Sequence, residues 1–328
     1  MKYQLNPAIE TFLLLTLPRW GKKQKKEAIK ALDDFGINGT AFYAANYSIL
    51  EGFFAAFASR KVDTEGGEFI ENLSDELALS LIDLIFLHPE WLEDFSAVPD
   101  EKVHETILKA FSDLLETSDD VVDALQASGL PDKAKWQITA LLQQPRQRIG
   151  VVVDAINANL PAFEHAYAKL EPEIRLLLEQ LEEQVRKGNL PDVVEQALKI
   201  NPDARIVPSL VSALGVIVFD GLCVVGLLIS KVFAGQDEGL SKTEAILAAK
   251  ALNDAHRLEI LAALKTEELY NLEIARMLDL TPATTSHHMS ALLSAGFVEG
   301  SLKDGKTYYR LCPEGIQRYR AWLESSFL

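Results

Sequence analysis

This 328-residue chain has only two cysteines, Cys223 and Cys312, far apart and without ligand-like neighbours. That excludes a disulfide framework, and neither spacing argues for a zinc or iron–sulfur centre. So few cysteines suit a reducing compartment, and a cytoplasmic location is expected. Secretion is not expected: the apolar run from Phe12 to Leu17 is too brief for a leader, and its strongest charges follow it rather than precede it. There is no nucleophile elbow, no Walker loop, no dinucleotide glycine-rich turn and no metal-hydrolase helix motif. The chain is therefore read as a non-enzyme with no cofactor. Internal repeats and low-complexity linkers are lacking as well. Finally, positive charge is in short supply, with 32 Lys+Arg against 48 Asp+Glu and a net charge of −16.

What is present begins with apolar content. At 48% hydrophobic residues the chain can bury a large core and is long enough for two domains. Charge divides it unevenly. Residues 240–328 hold 10 basic and 11 acidic residues, so residues 1–239 carry 22 basic and 37 acidic ones, almost all of the net negative charge. The first two hundred residues read as mostly helical, with periodic apolar runs at Leu77 to Phe86, Val103 to Leu115, Ala134 to Leu142 and Ile174 to Val185, broken by Pro, Gly and Asp/Ser clusters. Near residues 205–231 the pattern changes to β-branched apolar runs on either side of Asp220-Gly221. A membrane span is weighed against a buried β-hairpin here. The central Asp220, the hairpin-type Asp-Gly and the glycines favour the hairpin, since a central Asp costs about 3 kcal/mol in a bilayer. No membrane is expected as a partner. The hairpin and the segment Gly235 to Gly239 mark a boundary between a mostly helical domain, 1–239, and a second domain, 240–328.

The second domain carries the sharpest signal. In Thr281 to Val298, Thr281 can cap a helix, Pro282 sits at its first position and Gly296 supplies a left-handed stop. Thr285, Met289, Leu292 and Leu293 define a buried stripe, and Thr284, Ser286, His287 and Ser290 the opposite face. That face holds short hydrogen-bonding side chains and an imidazole without a carboxylate, as base edges and phosphates require. The bland alternative is an ordinary amphipathic surface helix. Its neighbours argue against that. Thr266 to Leu278 reads as the first helix of a helix-turn-helix, with Leu269, Leu272, Ile274, Ala275 and Leu278 inward, and a capped Leu/Ile helix ends at Leu264. Two strand-like runs, Phe297 to Leu302 and Thr307 to Leu311, flank Lys303-Asp304-Gly305-Lys306 and make a wing.

These residues resemble the ArsR/SmtB family of winged-helix transcriptional regulators. The resemblance lies in Asn253 to Leu261, Thr281 to Met289, Ala295 to Val298 and Gly305 to Leu311, and it covers roughly residues 240–328. It implies a homodimer that binds a double-stranded DNA operator and is released by an effector. Thr281, Thr284, Ser286, His287 and Ser290 are the expected DNA-binding residues of the helix, and Lys303, Lys306 and Arg310 those of the wing. Many members sense metals through Cys pairs or through Asp and His on the last helix. This chain departs on both counts, because Glu268 to Leu272 has no cysteine and Pro313 to Leu328 no histidine or aspartate. Adjacent His287 and His288 point about 100° apart on a helix and do not chelate as residues four apart do. No metal site is expected, and His288 is read as a packing or phosphate contact.

The fold class expected is mainly α, a helical N-terminal domain with a β-hairpin segment followed by a winged helix-turn-helix. The function expected is a transcriptional regulator, a repressor released by a non-metal small molecule bound by the N-terminal domain. The alternative is a protein-interaction or enzymatic N-terminal domain that uses the winged helix for protein contact. Ile316, Tyr319, Trp322, Leu323 and Phe327 on the last helix offer an apolar side for a two-fold partner, or for folding back on the large domain. The basic cluster at Arg19 to Lys26 with Lys30 can grip phosphates or be a solvated turn, and the second is favoured. Phe42, Tyr43, Tyr47, Phe53, Phe54 and Phe57 can line a pocket or pack a core, with the core favoured. His88, His104 and His165 near acids have no catalytic spacing. Because the long domain repels DNA, binding is expected to be steeply salt-sensitive and weak on nonspecific sequence.

Overall fold

The computed structural model describes residues 3–17, 22–34, 37–111, 121–128, 130–219, 221–232, 240, 242–303 and 306–328. It is mainly α, with two small sheets and two separate hydrophobic clusters. The first cluster gathers residues from Leu5 to Ile229, the second those from Ala248 to Val298. The boundary expected at Gly235 to Gly239 lies outside the described residues, as do Arg19 to Gly21 of the basic cluster. Among the described residues no helix is long and apolar enough to cross a membrane.

The N-terminal half is organised around one helix, Pro145–Lys187. Its sequence contains Pro161 and Pro172, which read as helix breakers. The helix continues through both. The disturbance is confined to Leu170, whose φ of −123° and ψ of 16° bend the backbone two residues before Pro172. Continuity follows from burial: Val152, Ile156, Phe163, Ile174, Leu177 and Leu181 all face the same core. Helix Pro7–Thr16 lies against it, capped by the Asn6 carboxamide oxygen, which accepts the N–H groups of Ala8 and Ile9 at 3.0 and 3.1 Å. Tyr43, Tyr47, Phe53, Phe54 and Phe57 are buried in this core, with Tyr43 stacked on Tyr47 and Phe53 edge-on to Phe163.

The segment expected to be a two-armed hairpin is a three-stranded sheet. Strands β1 (Arg205–Ser209), β2 (Val216–Phe219) and β3 (Leu222–Gly226) are ordered β1-β3-β2. The hairpin itself is β2 and β3, antiparallel with Phe219 opposite Leu222, while β1 runs parallel to β3 on its other edge. The first apolar run is broken because the backbone amides of Leu210 and Val211 are taken by a carboxylate instead of a neighbouring strand. Both donate to Glu10 at 3.1 Å, and the Ser209 hydroxyl donates to it at 2.5 Å. This completely buried acid ties the first helix to the sheet.

The second cluster is built from helices Lys242–Ala251, Ala255–Leu264, Asn271–Met277, Pro282–Ser294 and Pro313–Phe327 with strands β4 (Leu269–Tyr270), β5 (Val298–Lys303) and β6 (Lys306–Leu311), ordered β4-β6-β5. The first helix of the helix-turn-helix begins at Asn271, later than the expected Thr266. Leu269 and Tyr270 pair instead with Tyr309 and Tyr308 of the wing, and the Glu273 carboxylate accepts the Tyr270 N–H at 3.0 Å to start the helix. The turn between the two helices uses Asp279 at φ 53°, a left-handed conformation that Asp tolerates better than most residues.

Burial pushes the Glu10 carboxyl up to about 7, against three hydrogen bonds that favour its charged form. The protonated form is thus favoured in the folded state, and this contribution is complete below the ordinary carboxylate range and lost as pH rises through about 7. Relative to Glu10→Gln, which cannot titrate, the wild-type chain is expected to lose about 2.5 kcal/mol of unfolding free energy between pH 5 and 8. Chemical denaturation of both at several pH values checks this; a pH-independent difference contradicts it.

Candidate nucleic-acid interface

The recognition helix, Pro282–Ser294, is fixed at both ends. Thr281 Oγ1 accepts the Thr284 N–H at 3.0 Å and shares a 2.8 Å hydrogen bond with the Thr284 hydroxyl. Gly296, at φ 70°, turns the chain into β5 through a conformation that suits glycine. Thr285, Met289 and Leu292 are fully buried, and the Thr285 hydroxyl donates to the Thr281 carbonyl at 3.0 Å. Leu293, expected inward with them, is only half-buried because it lies on a groove described below. Thr284, Ser286, His287 and Ser290 are all exposed. The structure therefore places four of the five helix candidates on one accessible side and makes Thr281 the cap.

Ser286 is also held from below. Asn271 Nδ2 donates to its hydroxyl at 2.9 Å and to the Pro282 carbonyl at 3.0 Å, linking the two helices of the motif. On the wing the three expected cations are engaged. Lys303 forms an ion pair with Glu268, Arg310 pairs with Glu299 at 2.8 Å, and Lys306 lies over the Tyr270 ring at 5.2 Å. The Lys303 ammonium holds the Glu268 carboxyl below its ordinary range. Residues 304 and 305, the tip of the wing, lie outside the described residues.

The groove runs between the two hydrophobic clusters. Helix Asp192–Ile200 docks on β5, and Gly300 permits the approach: a Cβ there would stand 2.8 Å from Ile200 Cγ1. Next to this contact is a cavity of about 430 Å³. One wall is the docking helix (Val193, Gln196, Ile200) and β2 (Val218, Phe219); the other is Ser286, Ser290, Leu293 and Ser294 of the recognition helix with Thr307 and Tyr309 of β6. Among the described residues no charged side chain lines it.

Residues 254–300 match the family described as bacterial regulatory protein, arsR family. The C-terminal domain is an ArsR-family domain. Over 61 residues, 18% of this chain and 50% of each relative, it is 48% identical to the cadmium resistance transcriptional regulatory protein CadC of Listeria innocua and to that of Lactococcus lactis subsp. lactis. The chain thus spans about half the length of the curated relatives it matches. No solved structure matches.

The ArsR-family domain also assembles a cluster that sequence reasoning missed. His288 is buried, and it meets Asp254 and His256 at the start of helix Ala255–Leu264. Asp254 caps that helix by accepting the Arg257 N–H at 3.0 Å, and this hydrogen bond, ahead of the neighbouring positive charges, holds its carboxyl below the ordinary range. Burial holds the His288 imidazole below its ordinary value, partly opposed by Asp254. The sequence offered the Asp-x-His pair, but nothing local announced that His288 would join it.

Glu268 and Glu299 neutralise wing cations that would otherwise meet phosphates. If the wing lies on DNA, Glu268→Gln with Glu299→Gln should tighten binding and steepen its logarithmic salt slope by about 1 to 2, near 0.9 for each further phosphate neutralised. A salt-graded titration reads this directly. An unchanged slope would remove Lys303 and Arg310 from the interface.

Proposed function

We propose that this chain is a non-catalytic, DNA-binding transcriptional regulator of the cytoplasm, a homodimeric repressor whose hold on its operator is released by a small non-metal effector. The observation that carries this reading is the acid-free face of the recognition helix, where Thr284, Ser286, His287 and Ser290 are exposed over a fully packed inner stripe. Such side chains suit base edges and phosphates, and wing cations stand beside them. The similarity to two regulators named for transcriptional control supports it. The last helix supports a dimer: it has no buried residue, and Ile316, Leu323 and Phe327 are exposed. Two-fold pairing would cover that side and call for an operator with half-sites about one helical turn apart.

The groove suggests how the large domain would take part. An α-helix with its side chains is about 10–12 Å across, and it fills a major groove about 12 Å wide. A second helix packed alongside leaves no room for the duplex on that flank. The docking helix and β2 stand on the Ser286 and Ser290 side, so docking and DNA compete for the same edge. A neutral, partly apolar molecule in the groove would hold the domains together and keep the edge covered. The alternating Glu268, Lys303, Arg310 and Glu299 of the wing favour the rival reading, a surface for a protein partner.

Two experiments separate these readings. Ser286→Ala with His287→Ala should cost the protein at least tenfold in preference for its own upstream DNA over unrelated sequence, with its fold unchanged; equal discrimination in variant and wild type would leave the protein-contact reading. Gly300→Val should push Ile200 off the wing and raise operator affinity in the absence of effector. A loss of affinity in the folded variant would contradict competition between docking and DNA.

A further inference from the structure

The start of helix Ala255–Leu264 faces the recognition helix, and potential ligand atoms converge between them. One each from Asp254, His256 and His288 lie within 4.8 Å of one another. Asp254 Oδ1 is 3.7 Å from His288 Nδ1, and the His256 and His288 rings are 5.7 Å apart between centroids. At 3.7 Å the carboxylate and the imidazole do not form a hydrogen bond. His288 is nevertheless 8% exposed, and its Nδ1 is buried without a hydrogen-bond partner. Native interiors rarely leave such an atom unsatisfied, and an orphan of this kind calls for an ion or another partner.

We propose that Asp254, His256 and His288 form a three-ligand site for a zinc-like divalent cation that ties the first turn of helix Ala255–Leu264 to the recognition helix. Two imidazoles and a carboxylate suit zinc, and three protein ligands leave the fourth position to water. Capping the helix occupies only part of the acceptor capacity of Asp254, since a carboxylate offers about four lone-pair sites. His256, the second residue of the helix, is exposed, so a change of its rotamer could shorten the ligand distances. Arg257 is the opposing charge, its Nε 3.8 Å from Asp254 Oδ1 and buried without a hydrogen-bond partner; the cation would displace it from that carboxylate. Bound there, the cation anchors the recognition helix through His288, next to the exposed His287, and sets the orientation of the face that approaches DNA. The site is separate from the groove and rests on none of the DNA-contact assignments.

The test uses the full-length, tag-free chain, stripped with a chelator and titrated with Co²⁺ as a spectroscopic stand-in for Zn²⁺. One Co²⁺ per chain with visible bands of low-symmetry four-coordination is expected, together with a Zn²⁺-dependent rise in the thermal midpoint. His256→Ala, at an exposed position, should weaken Co²⁺ binding at least tenfold with the fold intact. Asp254→Asn, which keeps the cap acceptor and loses the charge, should do the same. Absence of Co²⁺ and Zn²⁺ binding by the wild type at micromolar concentrations overturns the proposal, and so does equal binding by the wild type and both variants.

Discussion

The contact on which this structure depends is the seat of helix Asp192–Ile200 on the wing. Ile200 presses on β5 at Gly300, where any side chain would collide with it. That contact brings β2 alongside, so that one flank of the recognition helix faces the large domain across the groove. With it, the position of the large domain and the accessibility of Ser286 and Ser290 become one variable, which is what a regulator needs if a ligand is to be read out at a distance.

Electrostatics works in the same direction. Most of the net negative charge sits in residues 1–239, which include the docking helix. On the proposed reading, a domain of that sign, held beside the recognition helix, would repel phosphate as well as block approach. The wing adds a local check, because Lys303 and Arg310 are already paired with Glu268 and Glu299. Exposed ion pairs of this kind are worth about 0–1 kcal/mol, so a phosphate can displace the carboxylates at small cost. On the proposed reading, binding would thereby be tuned toward modest affinity and strong salt dependence, with specificity left to the helix.

The C-terminal module was legible because its signals are local. The Thr281 cap, Pro282, the Thr285/Met289/Leu292 stripe and Gly296 all act within one helix, and each does in the structure what its chemistry implies. What could not be read depends on partners distant in sequence. The strand at Leu269 and Tyr270 exists because β6 is there to pair with it. The break after Ser209 exists because a carboxylate two hundred residues away captures two amides. The helix Pro145–Lys187 runs through Pro161 and Pro172 because the core it shares with the surrounding helices outweighs their local penalty. The cluster of Asp254, His256 and His288 and the docking of Ile200 on Gly300 belong to the same class, both set by tertiary packing.

The central claim is that the docking helix must leave the wing for DNA to be bound. Hydrogen exchange of the amides in Asp192–Ile200 and Val298–Lys303, compared between free protein and protein saturated with its operator, tests it most directly. The docking helix is expected to lose protection when DNA binds, while the wing strand is protected by the duplex that replaces it. Unchanged or increased protection of Asp192–Ile200 in the DNA complex would mean that both domains stay docked on the operator, and the proposed competition would be wrong.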